Sequence, residues 1–151
     1  MTARGFAVDR LPHQPPMRLV EQIVDLIEGE SAHGLRVARP DDWYFQGHFP
    51  DDPVVPAVVL IELVAQTGGV AAASGREGSA RSLRVAAVGP FKFPGGARPH
   101  QVLDARVRVV GRIGGMIKIE GEVLADGVRV AIGSVTLADV TVDRGATLAV
   151  D

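Results

Sequence analysis

The chain has 151 residues, 46% apolar and 23% charged, which fits one globular domain over residues 1–151 with a real core and disorder confined to the ends. Sixteen basic and eighteen acidic residues leave a net charge of −2, which argues against bulk attraction to nucleic acid or anionic membrane, although a local basic patch remains compatible with it. There is no cysteine for disulfide or thiolate chemistry, no apolar signal core at the start, and no run of the roughly 18 apolar residues a membrane span needs, so a soluble cytoplasmic protein is expected.

Residues 1–16 read as irregular or at most a short helix, because Pro12, Pro15 and Pro16 block anything longer. From Arg18 to Ile27 the apolar pattern fits a strand or a helix equally well, and a second short strand is expected at Gly34 to Ala38. Pro40 to Pro56 contains four prolines, two tandem aspartates and the aromatics Trp43, Tyr44, Phe45 and Phe49. It must be loop, yet its aromatics should seek burial and keep it ordered. Residues 57–73 then run seventeen positions without proline, and Pro56 stands where a helix favours its first residue. A helix here should be buried on nearly all sides and end at Gly75 and Gly78.

The remainder is strand-like: Leu83 to Lys92, Val102 to Arg112, Met116 to Leu124 and Val128 to Leu137. Gly111, Gly114-Gly115 and Asp126-Gly127 read as turns, the last as the strongest hairpin signal. One long buried helix with five or six mostly antiparallel strands implies an α+β domain in which a curled sheet wraps the helix. Residues 142–151 look like a loose tail.

Two residues stand out chemically. Glu62 lies among Leu60, Ile61, Leu63 and Val64, where a carboxylate is costly unless it is protonated, paired or hydrogen-bonded. Burial would favour its protonated form, which suits a group that holds a proton and then releases it. Gln66 and Gly69 follow at i+4 and i+7 on the same face, the first placed to orient the carboxyl and the second leaving room beside it. The alternative is a plain solvent-facing helix surface. His48 sits fourteen positions earlier in Gly47-His48-Phe49-Pro50. Gly47 permits an unusual backbone, and Phe49 and Pro50 stiffen the loop. A lone structural histidine is the competing reading.

Pro56 supplies no N–H, so the first donors of the helix belong to Ala57 and Val58. They point out of a helix end whose dipole favours negative charge, a place to polarise a thioester carbonyl. The plain alternative is a helix start satisfied by water. Among the other histidines, His13 in Leu11-Pro12-His13 is expected to be structural, and His33 and His100 should be exposed in turns. No spacing of histidines or acids matches a metal site, Asp51-Asp52 reads as solvated, and no GxGxxG or P-loop is present.

The stretch from Gln46 through Gly47-His48-Phe49-Pro50, Pro56-Ala57-Val58 and Glu62 to Gln66 closely resembles the active-site motif of the β-hydroxyacyl-acyl carrier protein dehydratases of the FabZ type. The likeness runs from about Leu11 to Leu137, including the Leu-Pro-His opening, and is densest from Phe45 to Gln66. It implies a hotdog fold and a homodimer, often assembled into a hexamer, that needs no cofactor or metal and takes its acyl chain from acyl carrier protein. The site would lie between subunits, with His48 of one removing the C2 proton and Glu62 of the other protonating the departing 3-hydroxyl. The Ala57 amide would bind the thioester oxygen. Glutamate at position 62 matches the FabZ subtype.

Three departures bear on the substrate. Ala57 and Asp51 stand where the family usually has glycine, and Phe91 to His100 runs about two residues longer than its counterpart. A specialised polyketide or polyene dehydratase therefore stands beside a fatty-acid enzyme. The competing functions are a hotdog thioesterase and a non-catalytic acyl-binding subunit. An acidic carrier protein calls for a basic entrance, for which Arg81, Arg84, Lys92 and Arg98 are the candidates; scattered solvated arginines are the plain alternative.

Overall fold

The computed structural model describes residues 8–9, 11–73 and 82–140. Its elements are β1 (Gln22–Ile27), β2 (Ser31–Val37), a 3-10 turn (Trp43–Phe45), α1 (Ala57–Ala73), β3 (Leu83–Lys92), β4 (Val102–Ile113), β5 (Met116–Ala125) and β6 (Val128–Asp139). The strands form one antiparallel sheet in the order β1-β2-β4-β5-β6-β3. Helix α1 packs across it in the hotdog arrangement.

The alternation of the strands explains which face the helix covers. Leu103, Ala105 and Val107 of β4, Ile117, Ile119 and Val123 of β5, and Val135 and Leu137 of β6 point inward and are buried. Asp104, Arg106, Arg108, Lys118, Glu120 and Glu122 take the alternate positions, which face away from the helix. From Leu63 to Ala73 every residue of α1 is buried, so the helix is the core, as its composition predicts. Only its first turn, with Ala57 and Val58, stands in the open. Close approach of helix and sheet depends on Gly68: a Cβ there would lie 2.8 Å from the buried Ile119 side chain.

Several expectations shift in detail. Of the two options for Arg18 to Ile27, the chain forms a strand, and only from Gln22. Strand β2 begins three residues earlier than Gly34, which places His33 within a strand instead of a turn. There it is half-buried and paired with Asp104, so its expected exposure is corrected; His100 is exposed, at φ +76°. Gly111 is no turn: it lies inside β4 at a bulge where pairing skips from Val109. Asp126 and Gly127, at φ +48° and +85°, do form the hairpin turn between β5 and β6. Gly75, Gly78, Arg81 and the tail at 142–151 lie outside the described residues.

The loop of Pro40 to Pro56 divides in two. Tyr44 and Phe45 are buried, whereas Trp43 and Phe49 are 40% and 54% exposed, against the expectation that all four aromatics turn inward. The inner half is braced by Arg36 of β2. Its guanidinium donates to the Tyr44 hydroxyl (3.1 Å), the Leu19 carbonyl (2.9 Å) and Asp42 Oδ1 (2.8 Å), and Tyr44 donates to Asp42 Oδ2 at 2.6 Å. The buried cation thus has a partner for each face of its fork.

This network has a pH signature. Burial alone would raise the Asp42 carboxyl, but the Tyr44 hydroxyl, the Arg39 amide and Arg36 together hold it below its ordinary value. Burial, and then donation to Asp42, pushes the Tyr44 phenol up to about 12. A depressed carboxyl contributes stability above its unfolded value and loses it as pH falls, so the relevant window lies below about pH 4. Asp42→Asn should cost about 2 kcal/mol at neutral pH, since a buried cation loses its charged partner. In urea melts at fixed protein concentration, the gap between D42N and wild type should narrow from pH 6 to pH 3. A gap independent of pH would contradict this assignment.

Candidate active site

The strained turn around His48 begins where the Arg36 brace ends. Its amide donates to the Phe45 carbonyl at 3.1 Å, which ties it to the anchored aromatics. Gly47 and Phe49 on either side have φ of +75° and +64°. For phenylalanine that conformation is costly, on the order of 1 kcal/mol or more, and it turns the ring outward against the imidazole at 4.3 Å between centroids. The ring Nδ1 lies 2.8 Å from the Val54 carbonyl oxygen. A carbonyl only accepts, so Nδ1 carries a hydrogen, and in the neutral ring the lone pair belongs to Nε2. The imidazole is thereby oriented by the backbone.

Glu62 sits two turns into α1, at a carboxyl 29% exposed. It is neither fully buried nor on a plain solvent face. Instead it lines a cavity of about 200 Å³ with Leu11, His13, Gln66, Gly69 and residues of β3 and β6. Gln66 behaves as its position at i+4 predicts: its Nε2 donates to Glu62 Oε1 at 3.0 Å. The same amide group donates to the Met17 carbonyl (2.8 Å), and its Oε1 accepts from the amides of Leu19 (2.8 Å) and Val20 (3.4 Å). All four hydrogen-bonding positions of this fully buried side chain are used. Glu62 is therefore held through a residue that also fastens the N-terminal segment to the helix. Gly69 lines the cavity, consistent with the space expected there.

His13 makes a contact that the sequence pattern does not announce. Expected to be structural, it places Nε2 at 3.4 Å from Glu62 Oε1 and lines the same cavity. No periodicity connects positions 49 residues apart. The only signal was the Leu-Pro-His opening itself.

Within one chain His48 and Glu62 are not brought together: no contact joins them, and His48 is absent from the cavity lining. The amides of Ala57 and Val58 head α1 at its exposed first turn, just beyond the loop that carries His48. The basic candidates are scattered. Arg84 lines the Glu62 cavity, Lys92 ends β3 and is exposed, and Arg98 is ion-paired with Asp52. Asp51 is exposed, whereas Asp52 is engaged by that pair and is not simply solvated.

A family model for the FabA-like domain matches residues 11–134. The chain is 33% identical over 123 residues to the 3-hydroxyacyl-[acyl-carrier-protein] dehydratase FabZ of Caldicellulosiruptor saccharolyticus, an alignment covering 78% of this chain and 88% of that protein. With the FabZ of Oceanobacillus iheyensis it shares 33% over 122 residues, covering 77% and 87%. Among solved structures, the dehydratase heterocomplex ApeI:P from Xenorhabdus doucetiae superposes with a TM-score of 0.70 at 22% identity, covering 87% of this chain and 90% of that one. The Escherichia coli PaaI protein of the phenylacetic acid degradation operon gives 0.61 at 14%, covering 77% and 80%. At such identities the structural matches speak for the fold alone.

Proposed function

The chain belongs to the FabA-like family, and we propose that it removes water from a (3R)-hydroxyacyl thioester carried on acyl carrier protein, leaving the trans-2-enoyl thioester. The observation that carries the reading is the complementary state of two groups. His48 offers a bare Nε2, and Glu62 is anchored through Oε1 with its other oxygen unengaged. One group is set to take a proton and the other to give one.

In this mechanism His48 Nε2 removes a proton from C2. The thioester oxygen gains negative charge against the Ala57 and Val58 amides at the head of α1. Glu62 then donates through Oε2 to the 3-hydroxyl, and the C3–O bond breaks with release of water. The proton held by His48 returns to Glu62 through solvent, which restores both groups.

Catalysis requires a second copy, because one chain leaves the two groups apart. Three features support a homodimer. Strand β3 is a sheet edge with Val85 and Val88 about half exposed. Leu83, Arg84 and Val85 of that edge line the Glu62 cavity. Phe49 and Val58, beside the base and the oxyanion site, are 54% and 71% exposed. Apolar surface of that kind asks for cover, and a two-fold partner would provide it while completing two sites at once. Assembly of such dimers into a hexamer belongs to the same reading, as does a basic carrier entrance at Lys92 and Arg98.

The test is mass spectrometry of carrier-bound 3-hydroxyacyl chains, fatty-acid and polyketide types in parallel, with a thiol reagent in a duplicate reaction. Conversion to the enoyl thioester without thiol release is expected. Thiol release without the enoyl product would favour hydrolysis, and a chain bound but never converted would leave only an acyl-binding sleeve.

A further inference from the structure

We propose that His13 is a positioning residue for Glu62, dictating which carboxyl oxygen delivers the proton. The inference rests on the dehydratase reading above. Three observations carry it. His13 Nε2 lies 3.4 Å from Glu62 Oε1, the same oxygen that Gln66 Nε2 approaches at 3.0 Å. His13 Nδ1 is buried and has no hydrogen-bond partner among the described residues. Among the described residues no hydrogen bond or ion pair reaches Glu62 Oε2, and Glu62 lines the cavity.

The second observation bears on the tautomer. A hydrogen on the buried Nδ1 would be a donor without an acceptor, and orphaned buried N–H groups are rarer in folded proteins than under-satisfied acceptors. The hydrogen is therefore assigned to Nε2, the ring atom that lies 3.4 Å from Glu62 Oε1. This is the opposite tautomer to His48, whose Nδ1 must donate to Val54. Two histidines of one chain are thus assigned their hydrogens on different ring nitrogens.

Gln66 donating to Oε1, with His13 Nε2 beside the same oxygen, makes the carboxyl unsymmetrical. Oε1 becomes the carbonyl-type oxygen, so the proton that Glu62 delivers is the one carried on Oε2. The distance of 3.4 Å is long for a hydrogen bond, and such contacts commonly tighten when substrate closes the site. The other charged group of the cavity is Arg84, reaching it from β3. His13 comes from the N-terminal segment, which Gln66 pins through Met17, Leu19 and Val20.

The experiment compares wild type, His13→Leu, His13→Gln and Glu62→Gln as full-length proteins on one 3-hydroxyacyl carrier substrate, with melting temperatures measured at equal concentration. H13L fills the space without a donor, and H13Q restores an N–H at a similar reach. H13L should lose about 10-fold or more in kcat with KM little changed, and H13Q should recover most of it. Equal activity in H13L and wild type, or equal loss in H13L and H13Q, would overturn the proposal. Should H13L fail to fold, a two-bond ¹H–¹⁵N spectrum of wild type, with His13 assigned by its absence from H13Q, decides. An Nε2–H signature supports the proposal, and an Nδ1–H or doubly protonated ring refutes it. Wild type that does not dehydrate at all, with E62Q indistinguishable from it, would reject the dehydratase reading itself.

Discussion

Replacing Glu62 with glutamine, or His48 with alanine, should lower kcat by about 10²–10⁴-fold while the fold is kept, the usual effect of removing a proton-transfer group. Neither change threatens the core. Glu62 is part-exposed at a cavity wall, and a glutamine there keeps an oxygen for the Gln66 amide to donate to. His48 contributes one hydrogen bond, to the Val54 carbonyl, and stacks on an exposed phenylalanine. Because both groups act on the same bond-breaking sequence, the double variant should be little worse than either single one. Steady-state kinetics beside thermal melts will check this; activity within a few-fold of wild type in either single variant would remove that residue from the chemistry.

A second large effect is expected at Gln66, on stability and activity together. Gln66→Leu leaves the Leu19 and Val20 amides and the Met17 carbonyl without their partner inside the protein. Each orphaned group costs about 1–3 kcal/mol, so a loss of about 3 kcal/mol overall is expected. For a chain of this size that corresponds to a fall of about 6–12 °C in Tm. Glu62 also loses its firmest donor, so kcat should drop even where the protein is fully folded. The contrast with E62Q is diagnostic: that variant should lose turnover with little change in Tm. Unchanged Tm in Q66L would mean that the N-terminal segment is held by other contacts.

How far the sequence carried the reading depends on whether local pattern or distant contact was decisive. Helix α1 was legible to the residue, because Pro56 marks its start and unbroken apolar composition fixes its burial. The β-branched alternation of β3 to β6 set their limits to within two residues, with Asp126-Gly127 as a true turn. The i+4 relation of Glu62 and Gln66 is local, and it held. What failed was long-range. His13 meets Glu62 only because Gln66 pins the segment between them to the helix. His33 finds Asp104 only through the pairing of β2 with β4. The outward turn of Phe49 follows from its positive φ, which composition does not announce.

Mixing two disabled proteins tests the shared site most directly. His48→Ala and Glu62→Gln variants, each inactive alone, are co-refolded or co-expressed and assayed for enoyl thioester formation. If base and acid come from different polypeptides, mixed dimers contain one intact pair, and random pairing should restore about a quarter of wild-type activity. A mixture as inactive as its components, with subunit exchange verified by mass, would mean that imidazole and carboxyl do not cooperate across two copies.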